Sequence, residues 1–490
     1  MRNKKEEFDI EKAILEVRQF LAEDKSLSPA VKAMFGLLMT VIALMSETIN
    51  ELNKKLGLTS KNSSKPPSSD SFGKGSGQGK SGRPKGTKNS KKNGGTTLRK
   101  KQNPDEVVQH KLVGQCPCGQ NLGSLQVTGL ISRQVWGIIL RSLVTEHQAE
   151  QAICACGKKH TASFPEGVSN HVQYSSEVKA LINYLSQYQL IPFERTQEIF
   201  KDLFDLELSD GTIFNSNQCA YSHLNEFEDK VKVTLAGEEV ANVDETKINI
   251  AGKLNHLHVF SNEYYTYLKA HKGRGHKAMD DIGLLKNFKG VLVHDRYSAY
   301  NKYECSHALC GSHLLRDLTF CEEMEGQRWA HEMRRFLEAL NELQKDQNLT
   351  IIEKDLMERE YTEILLRGQR ECPPPQIEEI KRKNKIPLII KKRKTKSRVL
   401  LEVFKEKRKE ILRFMHNPLV PFTNNLGERD LRMLKVQQKI SGCFRSLETA
   451  NIHARIRSYI STVKKQEHSV LRALANLYAP SNPTLNQLFA

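Results

Sequence analysis

Two short apolar runs in the middle of the chain each end at an aspartate: residues 240–243 lead to Asp244, and residues 290–294 lead to Asp295. Valine-rich runs of this length read as strands buried on both faces, which requires a sheet whose faces are covered by helices. Residues 254–260 and 264–270 alternate as two more strands, and a helix is predicted from about 275 to 287. Residues 307–310 offer a fifth strand before a helix over 312–324. The segment therefore reads as three strands followed by alternating helix and strand.

That order is the one of a ribonuclease H-like α/β core, in which the first and fourth strands are neighbours, so Asp244 and Asp295 are expected side by side. Carboxylates that close raise each other's pKa and cannot both ionise cheaply without a cation between them. Mg²⁺, with its preference for hard oxygen ligands and its retained waters, suits two aspartates plus one further carboxylate, and Mn²⁺ is an acceptable substitute. With two ions bound, one activates a nucleophile and the other stabilises a leaving 3′ oxygen. The third carboxylate is expected on a later helix, where Thr423-Asn424-Asn425-Leu426-Gly427-Glu428-Arg429 provides Glu428, with Thr423 or Asn424 as its N-cap. Arg432 and Lys435 follow by four and seven residues and share its face, a placement suited to phosphates. The competing reading of Glu428 is an ordinary surface ion pair with Arg432, contributing less than about 1 kcal/mol.

At 490 residues the chain exceeds what one core usually serves, so several domains are expected. The net charge of +18 points to a polyanionic partner, nucleic acid first. The longest apolar stretch, residues 34–45, is too short to span a bilayer, and Glu6, Glu7 and Asp9 interrupt any secretory signal. Cytoplasmic residence without a membrane partner is expected, and the ten cysteines are then reduced rather than disulfide-bonded.

Residues 1–58 carry Val31, Phe35, Leu38, Ile42, Met45, Ile49, Leu52 and Leu56 at alternating steps of four and three, the seam of a coiled coil and a route to a homo-oligomer. Residues 59–104 form a linker with twelve basic residues against the single acid Asp70. Its Gly82-Arg83-Pro84-Lys85 suits minor-groove or phosphate contact through Arg83 and Lys85. Residues 105–172 hold two knuckles, Cys116-Pro117-Cys118-Gly119 and Cys154-Ala155-Cys156-Gly157, around a β-rich stretch over 125–140. Four thiolates close a tetrahedron around structural zinc, and this region is predicted to be zinc-ribbon-like, with His110, His147 or His160 as substitute ligands. Residues 173–235 read as a helical, helix-turn-helix-like domain, with helix 194–204 and a second helix capped at Ser209. The core is expected in two parts, 236–320 and 417–465, around a helical insertion over 321–416 that carries basic runs at 381–385 and 391–398, with a tail over 466–490.

In order along nearly the whole chain, the motifs resemble those of insertion sequence 66 family transposases. The matching pieces are Asn62-Ser63-Ser64-Lys65-Pro66-Pro67-Ser68-Ser69-Asp70, the knuckles, Val243-Asp244-Glu245-Thr246 and His294-Asp295-Arg296-Tyr297-Ser298-Ala299-Tyr300. Cys310-Gly311-Ser312-His313-Leu314-Leu315-Arg316, Thr423-Asn424-Asn425 with Glu428-Arg429, and Lys439-Ile440-Ser441-Gly442-Cys443-Phe444-Arg445-Ser446 complete the set. The knuckles are shorter than is usual in that family, and the Cys310 to Arg316 motif lacks the commoner paired arginine. The resemblance implies a DDE transposase with Asp244, Asp295 and Glu428 as metal ligands and Lys435 on DNA. Arg432, Lys439, Arg445, His313 and Arg316 are further expected DNA contacts, whereas His294 reads as a strand residue rather than a base. It also implies binding to terminal inverted repeats, strand cleavage and transfer, and small accessory proteins as partners. A DNA-binding regulator that no longer cuts, or a stand-alone nuclease of the same fold, are the alternatives.

Overall fold

The computed structural model describes residues 100–138, 140–346, 349–374, 377–380, 388–391, 394–479 and 482–490, together with Phe35, Leu38 and Met45. Those three seam residues are helical and exposed. The other seam positions, the linker up to residue 99 with Arg83 and Lys85, and the basic run 381–385 lie outside the described residues. The described chain forms two compact units, one of residues 100–169 with 197–208, the other of 170–196 with everything from 209 onward and with Phe35, Leu38 and Met45.

In the smaller unit, strands β1 (Gln151–Ile153) and β2 (Lys159–Thr161) pair antiparallel, and the second knuckle is the turn between them. Both knuckles make the same turn: Gly119 N–H donates to Cys116 O and Gly157 N–H to Cys154 O, each at 2.8 Å. The two glycines hold φ of 90° and 81°, values a side chain would strain. Residues 125–140, expected to be β-rich, contain no regular strand among the described residues. Their apolar side chains, such as Leu130, Ile131, Val135 and Ile138, are exposed, so alternation found no partner strand and no core to bury it.

Helix α1 (Ser176–Asn183) belongs to the larger unit, α2 (Phe193–Phe204) passes from it into the smaller one after Thr196, and α3 (Asp210–His223) and α4 (Asn225–Ala236) belong to the larger unit again. The Ser209 hydroxyl accepts the Thr212 amide at 3.1 Å and caps α3, as its position predicts. A five-stranded sheet follows, from β3 (Val240–Ile250), β4 (Lys253–Ser261), β5 (Thr266–His271), β6 (Val291–His294) and β7 (Ser306–Leu309). Its order is β5-β4-β3-β6-β7, antiparallel on the β3–β4–β5 side and parallel from β3 to β7. The first and fourth strands of the core are thus neighbours. Helix α5 (His276–Ile282) crosses between β5 and β6 and is shorter than predicted, because Gly283 at φ 81° ends it.

Next come α6 (Gly311–Glu325), α7 (Arg328–Asp346) and α8 (Ile351–Glu371), then a small antiparallel pair, β8 (Ile377–Ile380) with β9 (Leu388–Lys391), inside the otherwise helical insertion. Helices α9 (Lys396–Glu406), α10 (Arg408–Ile411) and α11 (Arg413–His416) return the chain to the core, which closes with α12 (Asn425–Ser441), α13 (Leu447–Lys465), α14 (Val470–Asn476) and α15 (Pro483–Leu488).

Side-chain alternation divides the sheet's two faces. Ala241 and Val243 pack with Leu224, Phe227, Val231 and Leu235 of α3 and α4 and with Ile456, Tyr459 and Ile460 of α13. On the opposite parity of β3, Ile248 and Ile250 lie with Leu431 and Leu434 of α12. Two domain expectations are corrected here. Helices α1, α3 and α4 are not a separate core, since their apolar stripe is covered by the sheet and α13. Residues 466–490 are not a tail: Val470, Ala473, Leu474 and Leu477 make a helical stripe that enters the same core with Leu485 and Leu488.

One polar cluster anchors α12. Lys465 and Asp430 form an ion pair at 2.8 Å with side chains only 7% and 6% exposed. The ammonium also donates to the Asn262 carbonyl at 2.8 Å and Thr266 Oγ1 at 2.6 Å, and Ser461 donates to Asp430 at 2.9 Å. Lys465→Met leaves a buried carboxylate without its cation and is expected to cost about 3–5 kcal/mol. Equilibrium denaturation measures this, and a loss under about 1 kcal/mol refutes it.

Among the described residues, no helix is long and apolar enough to cross a membrane.

Candidate active site

The parallel pairing of β3 with β6 runs Val240↔Val291, Ala241↔Leu292 and Asn242↔Val293. Extending that register by two residues brings Asp244 level with Asp295. Asp244 has the parity of Asn242, and Asp295 that of Val293, so both project from the face against which α12 packs.

Helix α12 is fixed to that face by Asn424. This buried side chain donates to the Val243 carbonyl at 2.7 Å and accepts from Asn242 Nδ2 at 2.8 Å. Asn424 stands at the N-cap position, but its amide makes no capping bond, so its work differs from that expected of it. Its carbonyl accepts the Glu428 amide at 3.2 Å, which sets Glu428 one turn into α12, where the helix dipole favours a carboxylate. The backbone amide of Asn424 points at Cys310 Sγ, 3.1 Å away, tying the start of α12 to the start of α6.

The acidic groups feel one another. Burial, then the charges of Glu245, Asp295 and Glu428, push the Asp244 carboxyl up to about 7, against a hydrogen bond from the Glu245 amide. The same amide reaches Asp244 Oδ1 at 2.8 Å, and Asp295 Oδ1 accepts the Tyr297 amide at 2.8 Å. Glu428 makes no ion pair with Arg432 among the described residues; its Oε1 lies 3.8 Å from His313 Nδ1. The oxygens of the three carboxylates do not all fall within 4.8 Å, a spacing met among the described residues only by Cys310, His313 and Glu428.

A raised Asp244 gives a pH prediction. The folded state holds a proton that the unfolded chain releases near 3.8, so the metal-free protein loses stability as pH rises from about 4 through about 7. Thermal melts should show this slope, and Asp244→Asn should flatten it. A divalent cation held by Asp244 would stabilise the wild type more at about pH 8 than at about pH 6, because its binding must displace the proton. A slope unchanged by the substitution refutes the assignment.

Residues 171–452, more than half of the chain, match the family model described as the transposase IS66 family. The chain belongs to the IS66 family of transposases. The matched span includes Asp244, Asp295, Cys310, His313 and Glu428. Residues 4–103 match a second model, a family of unknown function (DUF6444). No curated protein matches the chain.

In this transposase Arg432, Lys435 and Lys439 lie exposed along α12 at steps of three and four, and Arg445 is exposed just beyond it. None of the four makes an ion pair among the described residues. Gly442 at φ 76° ends α12, after which Phe444 bonds the end of β3 through Asn249 and Ala251, fixing the segment that carries Arg445. Arg316 follows His313 by one turn on α6 and its charge acts on that imidazole. His294 is fully buried against His307, with Nε2 and Nδ1 3.0 Å apart, and burial lowers it to about 4, so it is a neutral strand residue.

Glu245, Arg274, Tyr297 and Tyr300 escaped the sequence reading. Glu245 is buried beside Asp244, bound by Arg274 at 2.6 Å and by the Tyr300 hydroxyl, and the guanidinium stacks 4.1 Å from the Tyr297 ring. Two adjacent acids inside a strand were the available signal. The knuckle sulfurs stand differently from expectation. Backbone amides of Gln120 and Cys156 hold Cys118 and Cys154 below the usual thiol range, yet no three of Cys116, Cys118, Cys154 and Cys156, nor nearby histidines, come within ligand reach. As placed, the four do not fit a single zinc ion, and no function here is routed through one.

Proposed function

We propose that this transposase is of the DDE type: it binds the terminal inverted repeats of its element, hydrolyses a DNA strand there and joins the freed 3′ end to target DNA. What supports the reading is the placement of three carboxylates from distant parts of the chain: Asp244 within β3 and Asp295 just past the end of β6 come level on adjacent parallel strands, and Glu428 rides a helix clamped to β3. Burial first, then the charge of Glu245 and those of Asp295 and Glu428, push Asp244 up, and a cation bound there would relieve that strain on its charged form. Oxygen-only donors suit Mg²⁺ or Mn²⁺.

Asp244, Asp295 and Glu428 would hold the ions. Bound magnesium supplies a Lewis acid that lowers the pKa of the attacking water or 3′-hydroxyl and neutralises the leaving oxygen. The protein does the positioning. Arg432, Lys435, Lys439 and Arg445 present an unpaired basic stripe to backbone phosphates. Arg274 and Tyr300 hold the Glu245 carboxylate in place beside Asp244. His313 and Arg316 stand on the adjoining helix start as further phosphate contacts. No side-chain nucleophile is needed, because water and then the 3′-hydroxyl attack directly. Pairing two DNA ends requires at least two subunits, for which the apolar seam of residues 31–56 is the candidate, and accessory proteins of the same element, acting in the cytoplasm, complete the partners.

Purified protein with magnesium should nick and join duplexes ending in the element's terminal repeats. Nicks without joining indicate a nuclease. Binding with neither product indicates a regulator and refutes the proposal.

A further inference from the structure

The starts of α6 and α12 meet, and between them they carry three different metal-binding side chains. Cys310, His313 and Glu428 each offer one ligand atom, and these atoms all lie within 4.8 Å of one another. His313 follows Cys310 by three residues, so both face the same side of α6. Main-chain bonds hold the third ligand to the first two: Gly311 N–H donates to Phe422 O at 2.8 Å, and Asn424 N–H points at Cys310 Sγ at 3.1 Å. The grouping is therefore built into the backbone rather than assembled from loose surface side chains. Two of its atoms, His313 Nδ1 and Glu428 Oε1, are shielded from solvent and have no hydrogen-bond partner. They stand 3.8 Å apart, an ion-pair distance when His313 is protonated but too long for a hydrogen bond, and a cation between them would bind both.

We infer that Cys310, His313 and Glu428 form a site for a zinc-class cation, chemically distinct from the oxygen-only magnesium centre. Thiolate, imidazole and carboxylate together select a borderline metal over magnesium. Three protein ligands leave the fourth corner of a tetrahedron to water or a phosphate oxygen. Glu428 belongs to both sites, so zinc bound here withdraws the third carboxylate from Asp244 and Asp295 and inhibits strand cleavage. That consequence rests on the DDE reading of Glu428, whereas the site itself does not.

The test uses metal-stripped, full-length protein titrated with Co²⁺, a visible stand-in for zinc, with thiolate-to-cobalt absorption as the readout. Cys310→Ser should lose one equivalent of thiolate-bound cobalt relative to wild type, the knuckle cysteines being common to both. His313→Asn and Glu428→Gln should each weaken that equivalent by about tenfold or more, which keeps the test alive if Cys310→Ser does not fold. Identical cobalt titrations for wild type and the folded variants would overturn the site. Added zinc should depress magnesium-dependent cleavage at least about tenfold more in wild type than in Cys310→Ser, each against its own zinc-free rate. A cobalt site alongside a Glu428→Gln that still cleaves supports the site and sinks the catalytic reading of Glu428. No cobalt difference alongside an inactive Glu428→Gln does the reverse.

Discussion

Asp244→Asn, Asp295→Asn and Glu428→Gln are each expected to lower single-turnover cleavage of end DNA by about a thousandfold or more, with little change in end binding. Each amide keeps the shape of its carboxylate but loses the charge that, on the proposed reading, would hold a divalent cation. Metal-assisted stabilisation of a phosphoryl transition state is worth several kcal/mol, and every 1.4 kcal/mol is tenfold in rate. Binding should survive because DNA affinity comes mainly from cations meeting phosphates, and the exposed stripe Arg432, Lys435, Lys439 is untouched. Removing one acid from the cluster lowers local negative charge, so end binding should, if anything, tighten slightly. The informative comparison is a gel-shift titration beside the cleavage assay. A variant that keeps more than about a tenth of wild-type cleavage removes its residue from the metal site, and parallel loss of binding and cleavage points to a folding defect instead.

The strand pairing that brings Asp244 level with Asp295 is legible in the sequence, for a physical reason. A short buried apolar run leading to a carboxylate is a local pattern, and the order of strands and helices restricts the topology, so the pairing of β3 with β6 follows from residues close to each aspartate, although β3 does not end at Asp244 as expected but runs on to Ile250. Glu428 was legible through its place in the first turn of a helix. What Glu428 touches was not. Its neighbours Cys310 and His313 arrive through the junction of two helix starts, and the Asn424 to Cys310 contact spans 114 positions, a separation that no periodicity reports. Asn424 itself was misjudged, because a residue ideal for capping spends its amide on β3 instead. The stripe in α14 was missed because α14 is short, although Val470, Ala473, Leu474 and Leu477 carry the spacing. Residues 125–140 failed in the other direction, since alternation without a partner is no strand.

Gly311→Ala should damage catalysis out of proportion to its size. A β-carbon at this position would lie within 2.6 Å of three carbons of the Phe422 ring, far inside contact distance. The ring has little room to retreat, because it packs edge-on against Phe414 with centroids 4.7 Å apart. Nor can the backbone slide freely, since the Phe422 carbonyl accepts the Gly311 amide at 2.8 Å. Overpacking of this kind costs about 1–3 kcal/mol, which thermal or denaturant melts will show. The catalytic effect follows from what comes next in the chain. Phe422 is two residues before Asn424, whose amide carries α12, and with it Glu428, onto β3. A displacement near 1 Å at a reacting centre can cost about a hundredfold in rate, so cleavage by the folded variant should fall by about that factor while DNA binding holds. Phe422→Leu opens space beside the new methyl group, and in the double variant both stability and cleavage should recover in part, giving a coupling energy above about 1 kcal/mol. If Gly311→Ala cleaves like the wild type, the junction of α6 and α12 does not set the position of Glu428, and the clamp must be sought in Asn424 alone.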